Sequence, residues 1–332
     1  MRFRTPFLAI TASVLVAGIA LTNRAPASTL YIAPGKVIGD FRVENAERFK
    51  GVNQVVIGQF AVGFFVRKVD YDGGGFLSAN NEAKAIGHLQ GMFPADFQAI
   101  TDAAYDDFAV QLEAQGVKIV DPAAYKANKY YAKVKYEVQG SKALVPLKKE
   151  DKADAALFWP SQLGGRNENM LATIGMFNMN MGKTYTAQYD YARTSKIPVL
   201  NVVYFVDFAA PAKTKGGNVI SGTNVQTITV SSQVAMSQFG SQLQIMDVNG
   251  KVGKMTLNTP VIQGGNFADI RDITSGSVRT AEAFADAFGS GKYRVDRRFG
   301  YTVTDKPAYS RSALAAGHQT SEMFTKQLVA LR

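Results

Sequence analysis

The run VVIGQFAVGFFV, Val55 to Val66, carries a single polar side chain, Gln59, in twelve residues. Branched and aromatic side chains at that density predict a strand buried on both faces. A second run of the same kind, VLNVVYFVDF, spans Val199 to Phe208. Two buried strands need helices to cover them, and the segment after the first strand supplies one. Phe97, Ile100, Ala104, Phe108 and Leu112 fall at spacings of three and four, which predicts a helix over Pro94–Gln115 with one apolar face. Pro94 and Asp96 suit its first turn, and Gly116 suits its end.

Outward from these elements the pattern continues. Asp70 to Gly75 reads as a glycine-rich loop, Val117 to Val120 as a short strand, and Asp121-Pro122 as the start of a helix running through Ala123–Glu137. Ala155 to Phe158 reads as a strand, whereas Gly164–Thr194, rich in Gly, Asn and Met, is left unassigned. Val225 to Val248 is a long β segment, Asn249-Gly250 marks a hairpin, and Lys251 to Ile262 is the return strand. Apolar stripes over Val278–Phe288 and Pro307–Leu331 predict two closing helices. The order predicts an α/β fold: a mixed sheet with flanking helices and a long antiparallel hairpin section. It forms one domain over residues 28–332, with a long polar loop near 209–227.

The N-terminus has the pattern of a secretory signal. Arg2 and Arg4 precede an apolar run from Phe7 to Leu21, and Ala25-Pro26-Ala27 places small residues before a cut at Ser28. The run is shorter than the roughly 20 residues of a spanning helix. Residues 1–27 are therefore expected to be removed, and the chain to be periplasmic or secreted. Cysteine is absent from all 332 residues, which excludes disulfides, thiolate metal sites, a cysteine nucleophile and lipid attachment at cysteine. Loss of Arg2, Arg4 and Arg24 from a formal charge of +10 leaves +7. An exported basic chain meets anionic lipid headgroups or acidic polymers rather than nucleic acid.

Several elements carry a family likeness. The opening strand VVIGQF, the helix ending Leu112 to Gly116, and the strand VKIVDP come first. A strand then leads into a polar loop over Asn201–Gly217, and the segment QLQIMDVNGKV follows, with Leu243, Ile245, Asp247, Gly250 and Val252 at the matching positions. Together these resemble the periplasmic domain of the curli secretion channel subunit family. The N-terminal domain of the Tol–Pal translocation protein shares the general plan. The resemblance implies an α/β domain without catalytic residues, acting through assembly. Channel subunits of that family are anchored through a lipidated cysteine, and this chain departs from them in having none.

Few residues point to chemistry. His88 and His318 are the only histidines, and no Gly-x-Ser-x-Gly elbow presents a serine to either. His88 is expected in a loop before the first helix and His318 on the last helix. Asp70 and Asp72 lack the further oxygen ligands of a calcium loop, and Gly289–Lys292 has the wrong spacing for a phosphate loop. Met170, Met176, Met179 and Met181 are soft enough for copper(I), but packing explains them more simply. No catalytic residue, metal or cofactor is assigned. Two binding segments are. Lys126, Lys129 and Lys133 stripe the second helix among Tyr125, Tyr130, Tyr131 and Tyr136, and Lys213, Lys215 and Asn218 lie in the polar loop. Thr223–Met236 alternates too poorly for a barrel strand, so this loop is expected to be an interaction loop in water. The expectation is an exported, non-enzymatic periplasmic protein of envelope assembly or transport. It would act by contacts with an envelope protein or with itself, or with anionic headgroups. The alternative is a soluble carrier of a hydrophobic or lipid-like ligand, lined by residues 158–181.

Overall fold

The computed structural model describes residues 36–38, 40–73, 81–134, 136–137, 139–147, 152–164, 167–168, 181–209, 232–275 and 293–332. The signal segment, the polar loop with Lys213, Lys215 and Asn218, the methionines at 170, 176 and 179, and the stripe at 278–288 lie outside them.

The chain enters through β1 (Lys36–Ile38) and β2 (Phe41–Glu44), then runs along β3 (Gln54–Gly73) and β4 (Asn81–Gln90) into α1 (Pro94–Ala114). Next come β5 (Lys118–Val120), α2 (Ala123–Lys126), β6 (Tyr136–Glu137), β7 (Ser141–Pro146), β8 (Lys152–Phe158) and β9 (Asn167–Glu168). Helix α3 (Met181–Ser195) leads to β10 (Val199–Asp207), followed by β11 (Val234–Met236), β12 (Gln242–Met246) and β13 (Val252–Leu257). The chain closes with β14 (Val261–Gln263), β15 (Ala268–Asp272), β16 (Tyr293–Val303) and α4 (Lys306–Leu331).

The fold is α/β, built among the described residues on one mixed sheet of 14 strands whose main path is β1-β2-β13-β12-β10-β3-β4-β16-β15. Strand β3 is its axis. The first half runs parallel to β10, from Val56 opposite Val199 to Phe64 opposite Val206. The second half pairs antiparallel with β4, and β5 and β8 also pair with β3. Gly58 is the extra residue where the β3–β10 register shifts. A Cβ there would lie 2.5 Å from a Val199 methyl, so glycine lets the two buried strands close.

Helices α1 and α4 cover one face. The expected α1 stripe of Phe97, Ile100, Ala104, Phe108 and Leu112 is buried, and Phe60 meets Phe108 at 5.7 Å and Tyr204 at 5.5 Å. Lys306, in the first turn of α4, donates to Asp96 Oδ2 at 2.7 Å, tying the two helix starts together. Helix α3 covers part of the other face, where Ala187, Tyr191 and Ala192 pack with Val56, Val199 and Met246. Gln188 and Asn201 exchange amide hydrogen bonds of 3.1 and 3.0 Å beneath it, so neither buried amide is left unpaired.

Several expectations are corrected. Residues 70–73 continue β3 rather than opening a loop, and His88 lies in β4, not before α1 in a loop. The long segment expected over Val225–Val248 is interrupted at Ser237–Ser241, leaving the short β11 and β12. The hairpin at Asn249-Gly250 is present, but only Gly250 has positive φ (74°). Asp247 makes the turn instead: its Oδ1 accepts the N–H groups of Asn249 and Lys251, each at 2.8 Å.

Candidate contact surface

The helix expected through Ala123–Glu137 is one turn long. Asp121 Oδ1 accepts the Ala123 N–H at 2.8 Å and starts it. Asn128 redirects it: its Oδ1 accepts the Tyr130 N–H at 2.8 Å, and its Nδ2 donates to Asp190 of α3 at 2.8 Å. A local side-chain acceptor competes with the helical ladder, so the chain bends into a 3-10 turn over Tyr131–Lys133.

The bend breaks the lysine stripe. Lys126 Nζ turns to the Leu163 carbonyl at 3.0 Å and leaves the group. Lys129 and Lys133 stay together, their ammonium groups 4.9 and 5.9 Å from the centre of the Tyr130 ring. A cation over an exposed ring is stabilised by about 0.5–1 kcal/mol. Tyr125 is buried edge-on against Tyr131 (4.9 Å) and Tyr191 (5.3 Å), so it anchors the segment instead of facing outward.

Helix α3 adds residues that sequence reasoning missed. Tyr185, Tyr189 and Arg193 recur every four residues, which places them on one helix face. Tyr185 and Tyr189 stack at 6.1 Å, and Arg193 Nη1 donates to the Tyr189 hydroxyl at 2.6 Å. The guanidinium lies 5.2 Å from the Tyr189 ring centre, and the Tyr185 hydroxyl donates to the Gly250 carbonyl at 3.2 Å. The signal was legible as a four-residue repeat in TYTAQYDYAR, but the buried Tyr191, between Tyr189 and Arg193, blurred the polar and apolar faces.

Tyr130, Tyr131 and Tyr189 pack on the same buried cluster, so the two segments form one face. Tyr185 is 47 % exposed, and Lys129, Lys133 and Arg193 are exposed as well. Asp190, the acidic residue of this helix, is held by Asn128. The face therefore presents cations and phenol edges to whatever meets it.

The histidines sit elsewhere. His318 Nδ1 is 2.8 Å from Asp107 Oδ1, bridging α4 to α1, and that hydrogen bond holds its pKa above the ordinary imidazole value. Burial, then the Arg67 and Arg298 charges, push His88 below it. Their described hydrogen bonds include no serine or threonine hydroxyl, and among the described residues no three His, Asp or Glu side chains converge. Phe158 and Trp159, expected to line a carrier pocket, are buried, with Phe158 against Phe97 at 5.5 Å. Among the described residues no helix is long and apolar enough to cross a membrane.

No family model matches the chain, and neither the curated proteins nor the solved structures include a significant match.

Proposed function

We propose that this chain is an exported, periplasmic or secreted protein of the cell envelope that works by contacts rather than by chemistry. The face of Tyr130, Tyr185 and Tyr189 with Lys129, Lys133 and Arg193 is its contact surface, and an acidic envelope protein is its partner. One observation carries the reading. Two chain segments more than 50 residues apart bring three cations onto the rings of one tyrosine cluster. Tyr and Arg dominate the energetics of protein interfaces, because a rigid amphipathic ring and a planar cation bury area at low entropic cost. The basic balance of the chain sets the sign of the partner. The N-terminal pattern and the resemblance to envelope assembly proteins support this choice of compartment.

A photo-crosslinking residue at position 185, expressed in the native envelope, tests this. A discrete protein adduct is expected there and not at Val110, which is 67 % exposed on α1. Adducts of equal yield and spread at both positions would sink the assignment.

A further inference from the structure

We propose that a second site, a basic groove at the edge of the α3 side, binds a phosphate monoester. Four chain segments meet there: the connection before β3, the start of β5, the turn between α3 and β10, and the β12–β13 turn. They enclose a groove of about 310 Å³ walled by Lys50, Lys118 and Lys196, with Asn53 and Gln54 beside them. That volume is at the small end of ligand sites and suits a headgroup-sized molecule.

The electrostatics of the groove are unbalanced. Asp247 is the acid in its wall, and it is already committed. Its Oδ2 meets Arg48 Nη1 at 3.3 Å, and its Oδ1 accepts two backbone N–H groups. Among the described residues, Lys50, Lys118 and Lys196 have no ion pair, and the Asn53 and Gln54 amides have no hydrogen bond. Lys196 holds its place at a backbone φ of 59°, a left-handed conformation that Gly or Asn would adopt at lower cost. Like charges gathered around one concavity repel. A carboxylate would offset one of the three. A dianionic phosphate offsets two and offers three oxygens to the lysine and amide donors that line the groove. The groove shares no lining residue with the tyrosine face, although the β12–β13 turn borders both.

Calorimetry on the full mature chain at low salt, with glycerol 3-phosphate as the probe, tests the proposal. Saturable binding is expected, weakened at least about tenfold in K50Q/K118Q/K196Q and unchanged in K142Q, an exposed lysine on β7. Phosphatidylcholine vesicles with and without phosphatidic acid identify the source. Capture that depends on phosphatidic acid, exceeds the affinity for glycerol 3-phosphate and is lost in the triple variant assigns a lipid headgroup. Equal or weaker capture assigns a soluble phosphate ester. The triple variant is expected to melt no lower than the parent chain. If it melts lower, the single variants K50Q, K118Q and K196Q replace it, each expected to weaken binding. Absence of binding to both probes, or equal affinity in parent and variants, overturns the proposal.

Discussion

Lys68 Nζ donates to Asp207 Oδ2 across 2.9 Å, with the two side chains only 9 and 10 % exposed. The pair joins β3, just past its bulge at Phe65–Arg67, to the last residue of β10. Lys68 also reaches the Ala209 carbonyl at 3.2 Å, while Asp207 Oδ1 accepts the Ala209 N–H at 2.9 Å. The buried Tyr309 hydroxyl lies within the field of Asp207, and burial together with that charge pushes its pKa upward.

Removing Lys68 leaves the buried Asp207 carboxylate without its cation. Lys68→Met is expected to cost roughly 3–5 kcal/mol, read from urea unfolding midpoints. Lys68→Met with Asp207→Leu is expected to cost less than Lys68→Met alone. A double variant as unstable as the sum of the singles would show that the pair is not coupled.

The His318–Asp107 bridge makes part of the α1–α4 contact pH-dependent. The folded-state pKa of His318 is raised, so its contribution is complete below the unfolded value of about 6.5 and disappears as pH rises through the folded value. His318 is 61 % exposed, so screening holds the effect to about 0.5 kcal/mol. Stability measured at pH 6 and at pH 8.5 should fall slightly for the parent chain and stay flat for His318→Gln, once the common background is subtracted. Equal slopes in both chains would remove the bridge from the titration.

Gly250 couples the hairpin to the tyrosine face. It sits at φ 74°, and a Cβ added there would lie 2.2 Å from Tyr189 Cδ2. Gly250→Ala must displace the Tyr189 ring and accept a left-handed backbone, a loss of about 1–3 kcal/mol. The ring's departure also frees Arg193. The variant should therefore lose crosslinking at position 185 more than Asn249→Ala does, at matched temperature below melting.

Export predicts a defined N-terminus. Edman sequencing of the chain purified from the envelope should read Ser28, within a residue or two. Met1 on the purified chain would leave the leader as an anchor.

The elements legible in the sequence are those with one environment along their length. Strand β3 shows its apolar run because β10 and helices on both faces bury Val55–Phe65. Helix α1 shows a clean stripe because one side packs on the sheet and the other meets solvent. Strands β4 and β16 are harder to read because only part of their length meets the core, at Ile86, Tyr301 and Val303. Residues such as His88, Arg297 and Arg298 occupy ladder positions there without an apolar period. In the 120s, propensity favoured a long helix, but two hydrogen bonds from Asn128 ended it. The lysines of the face were visible in the sequence. Their convergence with Tyr185, Tyr189 and Arg193 was not, because it depends on α3 crossing a chain segment far away in sequence.

The contact surface is tested most directly by crosslinking at position 185 with and without its cations. Lys129→Gln, Lys133→Gln and Arg193→Gln together should lower the yield of the protein adduct about tenfold, the equivalent of some 1.4 kcal/mol of lost contact. Background yield at position 110 should not change. An adduct at position 185 of undiminished yield in the triple variant would contradict the assignment of this face.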